Sequence, residues 1–181
     1  MKRVFLFSGI AAVLLSCNSS DTKTADETKM GETKVAAMST NDLAFPLKDW
    51  GDWQPGSMDN LKVGLQSLKD FQMGNVDACM NAFGDSVELR FDGMIGKYSK
   101  DSATKFFKNL RASMKNIDIN MDDYETVKSK DGKEEWVSMW YKQKTTDDKG
   151  KLDSIVCMDD MKFSNGKIVL LDEKLRRLPK K

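Results

Sequence analysis

Three turn segments divide the chain after Ile117 into four β runs, and they limit the fold more than any other feature. Lys130-Asp131-Gly132-Lys133, Asp147-Asp148-Lys149-Gly150 and Ser164-Asn165-Gly166-Lys167 separate runs at about 117–129, 134–146, 151–163 and 167–178. Asp-Gly and Asn-Gly supply the positive-φ residues that tight hairpins need, so the runs are predicted to form an antiparallel meander. These strands carry apolar residues on both faces. Trp136 and Trp140 alternate with Val137, Met139 and Tyr141, and Ile168 and Leu170 alternate with Val169 and Leu171. A sheet apolar on both faces has to be covered twice or curl around something.

Helical periodicity precedes the meander. Pro55-Gly56 makes a turn, Ser57 is an N-cap, and Met58, Leu61, Leu65, Leu68 and Phe71 recur at helical spacing up to Gly74. Asn75 opens a second, short helix with the stripe Val76, Cys79, Met80 and Phe83, ending at Gly84. Ser86 to Asp92 alternates as a half-buried strand. Ser99 then caps a third helix presenting Ala103, Phe106, Phe107, Leu110 and Met114 on one face. Leu61, Leu65, Leu68, Phe83, Phe106 and Leu110 are the predicted core. The expected class is α+β: three N-terminal helices packed in a strongly bent, mostly antiparallel sheet.

The N-terminus reads as an export signal. Lys2 and Arg3 precede an apolar run from Val4 to Leu15, too short for a membrane span of about 20 residues, and Ser16-Cys17 follows. Leu14-Leu15-Ser16-Cys17 resembles a bacterial lipobox, which implies a signal peptide over 1–16 and lipidation of Cys17. The next segment, to residue 41, is rich in Ser, Thr, Lys, Asp and Glu and has no aromatic residue. It is expected to be a disordered linker, because it cannot bury enough apolar surface to offset the entropy of ordering it. The folded domain is placed at 42–181. Asn18, rather than Asp, follows the lipidated cysteine, so the expected location is the outer membrane of a Gram-negative cell envelope. The membrane partner is reached through Cys17.

Composition removes several chemistries. The chain has no histidine, so Ser-His-Asp and Cys-His mechanisms are excluded and the commonest metal ligand is missing. Lys plus Arg number 29 against 28 Asp plus Glu, which gives no basic surplus for nucleic acid. No metal site and no cofactor is expected. Cys79 and Cys157 are either a disulfide or two buried apolar thiols, and the sequence leaves both open.

The order helix, helix, strand, helix and four-stranded meander resembles the nuclear transport factor 2-like (NTF2-like) fold, shared by ketosteroid isomerase and the SnoaL-like polyketide cyclases. Phe83-Gly84-Asp85-Ser86-Val87 is similar to the family's exit from the second helix. Gly96 to Phe107 resembles its Gly-containing loop leading into a helix with paired Phe. Phe163-Ser164-Asn165-Gly166-Lys167-Ile168 resembles its last hairpin. The resemblance implies a cone whose open end is a pocket, on residues from about 58 to 178, within a bacterial lipoprotein. It also places Asp92, before Gly93, where isomerase-like members hold a catalytic Asp. The tyrosine that the family carries on its first helix has no counterpart here.

The candidate catalytic residue is therefore Asp92. The candidate pocket residues are Trp50, Trp53, Tyr98, Trp136, Trp140, Asp159 and Asp160. Asp159-Asp160 interrupts an apolar strand, so one of the two carboxylates faces the cone interior and gains a raised pKa there. Two readings follow. One is a lipid-anchored small-molecule-binding or interaction module, able to form a homodimer through the sheet. The other is a small lyase or isomerase acting on an apolar, carbonyl-bearing molecule through a pocket Asp. The absence of histidine and of a first-helix tyrosine favours the binding module.

Overall fold

The computed structural model describes residues 43–46, 53–147 and 149–178. The expected signal peptide, Cys17, the linker and Trp50 lie outside the described residues. No described helix is long and apolar enough to cross a membrane.

Ten elements follow in chain order: β1 (Trp53–Pro55), α1 (Met58–Met73), α2 (Val76–Met80), β2 (Phe83–Phe91), β3 (Met94–Ser99), α3 (Lys100–Ala112), β4 (Asn116–Ser129), β5 (Glu135–Thr146), β6 (Leu152–Ser164) and β7 (Lys167–Arg177). The strands form one curled seven-stranded sheet in the order β1-β4-β5-β6-β7-β2-β3. Neighbours are antiparallel except β2 and β7, which run parallel. This is the expected α+β class, with three helices on the inner face of a bent sheet.

The local reasons are visible in the caps and turns. Ser57 sits extended at the start of α1, and its hydroxyl accepts from the backbone N–H groups of Asp59 and Asn60. Gly74 ends the helix in the left-handed region at φ 87°, where a Cβ would be strained. In the β6–β7 turn, Asn165 and Gly166 both take positive φ, the geometry that matches the twist of a two-residue hairpin. Gly64 lets α1 approach the sheet: a Cβ there would lie 3.4 Å from Met161 Sδ and 3.5 Å from Val137 Cγ1.

The core lies between α1, α3 and the inner sheet face. It joins Leu61, Phe83, Val87, Leu89, Phe107, Val137, Met139 and Met161, all buried. Leu65, Leu68, Phe106 and Leu110 are partly buried and pack against it. Four of the rings form a chain of edge and tilted contacts: Phe71 to Phe107 at 6.0 Å, Phe83 to Phe107 at 5.8 Å and Phe91 to Phe107 at 6.2 Å.

Two sequence expectations need correction. Phe83 does not continue the second helix. The helix stops at Met80, and Phe83 opens β2 opposite Ile168. Asp92 does not end an isolated strand either; Asp92-Gly93 is the tip of a hairpin whose second arm, β3, runs directly into α3. Cys79 and Cys157 are both free and both buried.

Candidate functional site

A cavity of about 270 Å³ opens between the helices and the inner face of β5, β6 and β7. The strand period of two sets its floor. Tyr141, Gln143 and Thr145 come from β5, Asp153, Ile155, Asp159 and Met161 from β6, and Leu171, Glu173, Leu175 and Arg177 from β7. The helices add an apolar wall from Leu68, Phe71, Phe107 and Leu110, and β2 adds Phe83 and Phe91.

The polar groups divide between two ends. At one end, Asp153 and Arg177 form an ion pair with side chains 38% and 70% exposed. At the other end, Tyr141 and Asp159 are buried at 1% and 3%. The Tyr141 hydroxyl donates to Asp159 Oδ2 at 2.9 Å, while Asp159 Oδ1 has no hydrogen-bond partner. Most buried polar atoms are paired, so an orphaned carboxylate oxygen calls for an explanation. Directly across the strand pair stands Glu173.

Burial shapes the titration of all these groups. Desolvation, reinforced by the neighbouring Glu173, holds the Asp159 carboxyl well above the ordinary aspartate range, although the Tyr141 bond opposes this. Burial and the charge of Asp92 push Glu173 up to about 7. Tyr141 is raised by burial and by Asp159, so its phenol keeps its proton and serves as a donor. Burial also pushes the Cys157 thiol up to about 12 and raises Cys79, so neither thiol supplies a thiolate nucleophile near neutral pH. With histidine absent, proton transfer in this cavity rests on Asp159 and Glu173.

Of the residues singled out from the sequence, Asp159 lines the cavity. Asp160 points to the opposite face of the sheet, accepting from Ser138 at 2.5 Å and from Lys174 at 2.7 Å. Trp136 and Trp140 share that outer face and are half-buried. The Trp136 indole N–H donates to Glu134, and Lys162 Nζ lies 5.6 Å from the Trp136 ring centre. Tyr98, on β3, packs against the core but does not line the cavity, and its ring lies close over Gly96. Trp53 is 43% exposed on β1. Asp92 is exposed in its turn and outside the lining, though its charge reaches Glu173. Sequence reasoning missed Tyr141 as a polar group, and it missed Glu173 altogether. The available signal for Glu173 was an acid at the step of β7 that, after the Asn165-Gly166 turn, falls opposite Asp159. Among the described residues no group of three or more His, Cys, Asp or Glu could hold a metal ion.

No protein-family model and no curated protein matches this sequence. Solved structures do match its fold. An NTF2-like protein of unknown function from Burkholderia pseudomallei superposes with a TM-score of 0.55 at 14% identity, over 66% of this chain and 92% of that one. AusH from Aspergillus nidulans gives 0.55 at 16% identity, over 68% and 87%. A LEH-like epoxide hydrolase from M. tuberculosis gives 0.54 at 11% identity, over 66% and 84%. Likeness at such identities establishes a shared fold: the chain has the NTF2-like cone. Activities do not transfer with the fold, which carries many chemistries.

Proposed function

We propose that this chain is a lipid-anchored small-molecule-binding protein of a bacterial cell envelope, with its ligand held in the cavity between the helices and β5–β7. The carrying observation is the cavity itself. It joins a wall of phenylalanine and leucine to one buried polar end, the composition that binds and orients a small, mostly apolar molecule. The lipobox-like Leu14 to Cys17 supports the anchor, and Asn18 supports the outer membrane. Two measurements test the proposal. Cys17→Ser should release the protein from the membrane fraction, and unchanged membrane association would refute the anchor. A thermal-shift screen of small apolar compounds should raise the melting temperature, with Leu175→Trp, which fills the cavity, abolishing the effect. A cavity that no compound stabilises would refute the binding role.

One observation favours a second reading, acid–base catalysis on a carbonyl-bearing substrate. A protonated Asp159, held in place by the Tyr141 hydroxyl that donates to it, offers a donor, and Glu173, at about 7, is poised to accept a proton. In this reading the chemistry sits on Asp159, Tyr141 and Glu173 rather than on Asp92. Proton exchange into an enolisable ketone, lost in Glu173→Gln while binding persists, is its signature. No exchange above buffer background would remove it.

A further inference from the structure

We propose that the ligand of this cavity is an organic ammonium: a small molecule with an apolar, largely aromatic body and one cationic amine seated between Asp159 and Glu173. The proposal deepens the small-molecule-binding reading and rests on it.

Strands β6 and β7 set Asp159 opposite Glu173 on the inner face of the sheet. Two carboxyls directly opposite each other cannot both ionise in a sheet without a compensating cation, so here they hold protons instead. Among the described residues, no basic side chain hydrogen-bonds or ion-pairs with either acid, and Lys174 acts on Asp159 only through space, from the other face of the sheet. The one hydrogen bond that reaches the pair comes from Tyr141, and Asp159 Oδ1 stays unpartnered at 3% residue exposure. The same two strands also carry a control. On the outer face they set Asp160 opposite Asp172, and there Lys174 Nζ lies 2.7 Å from one carboxylate and 3.2 Å from the other. The inner pair has the acids without the lysine.

The groups around the inner pair leave that place open to a cation. Tyr141 faces it from β5, Cys157 from β6 and Asp92 from the β2–β3 turn, none of them a cation at neutral pH. Asp160 and Lys174 sit on the other face and neutralise each other. Arg177 lies four residues along β7 from Glu173, roughly 13 Å at strand spacing, and is engaged with Asp153. Helices α1, α2 and α3 contribute no charged group to the lining. An anionic ligand would meet two carboxyls. An ammonium would satisfy Asp159 Oδ1, offset the repulsion and lie within reach of the phenylalanine rings that face the cavity.

Binding a cation favours the ionised carboxylates, so protons leave as it enters. Glu173 titrates near 7 and Asp159 is also raised, so affinity for an ammonium should rise with pH between 5 and 8, with protons released from both acids as it binds.

The test is calorimetric titration of the full chain with three matched probes: 2-phenylethylammonium, 2-phenylethanol and 3-phenylpropanoate. Each is run from pH 5 to 8 in buffers of different ionisation enthalpy. The expected result at pH 8 is an ammonium bound at least about tenfold more tightly than the alcohol, and an anion that does not bind. Asp159→Asn and Glu173→Gln should each remove most of that preference, the ammonium losing far more affinity than the alcohol. Lys174→Ala, on the outer face, should leave both unchanged. Circular dichroism confirms that each variant is folded. Alcohol binding equal to ammonium binding, or a preference that survives both inner-face variants, overturns the amine and leaves the pocket standing. Failure of all three probes counts against the pocket itself.

Discussion

On the outer face of β6 and β7, Lys174 stands between Asp160 and Asp172, and Arg90 comes within 3.9 Å of Asp172. On the inner face, one residue along, Asp159 and Glu173 meet with only a phenol beside them. The two pairs come from the same dipeptides read on alternate sides of one hairpin. Water and a flexible ammonium stem make the first pair an ordinary surface network, while the burial of Asp159 beside a half-buried Glu173 keeps the second from ionising freely. Charge in a strand therefore has no fixed meaning until its face is known. A carboxylate pair that would be worth little attention in solvent becomes the most unusual group in the molecule once it is enclosed.

Three perturbations separate the two faces. The largest effect is expected from the wall that encloses the inner pair. Phe107→Ala, at a residue 5% exposed, should lower stability by about 3–5 kcal/mol, the range for a buried phenylalanine, equally at pH 5 and pH 8. Chemical denaturation at both values checks this. A loss that grows with pH would show that the wall also shields the acids.

Next comes the inner pair itself. Glu173 titrates at 4.5 when unfolded and at about 7 when folded, so its protonated form is favoured by folding. That contribution is fully present below 4.5 and is lost as pH rises through 7. Glu173→Gln should accordingly stabilise the fold by about 1–3 kcal/mol at pH 8 and by almost nothing at pH 4. A variant less stable than the parent at pH 8 would mean that the inner pair is already compensated.

The smallest effect belongs outside. Lys174→Ala should cost about 0.2–1 kcal/mol, and the difference should shrink as salt is added. A loss as large as that at Phe107 would erase the distinction between the faces.

Much of this architecture was legible in the sequence because it is local. The three turn segments mark the β4–β7 hairpins to within one or two residues, and Ser57 and Ser99 mark two helix starts. The misreadings share a cause. Asp92-Gly93 is the same kind of hairpin signal as Asp131-Gly132, but Met94 to Ser99, with a glycine and a lysine inside it, shows little strand pattern. Asp92 accordingly stands in an exposed hairpin turn, outside the cavity lining. Phe83 continues a helical stripe in sequence, and only its pairing with Ile168 makes it a strand residue. At the site, alternation shows that Asp159 and Asp160 point apart, yet which of them faces inward depends on where the helices pack. That Glu173 meets Asp159 depends on cross-strand register, which no single strand contains. Trp136 and Trp140, attractive as pocket aromatics, fall on the outer face for the same reason.

The parallel pairing of β2 with β7 also bears on the order in which the molecule assembles. The β4–β7 hairpins close short loops and can form as soon as each turn is made, whereas Phe83 and Leu89 must wait for Ile168 and Leu171. Strand β2 and helices α1 and α3 precede β4–β6 in sequence, and their sheet partner β7 follows all of them. Until β7 pairs, the phenylalanines of β2 and α3 are not joined to the β4–β6 sheet. Refolding from denaturant should therefore protect the amides of β5 and β6 before those of β2, and protection of β2 that precedes β7 would overturn this order.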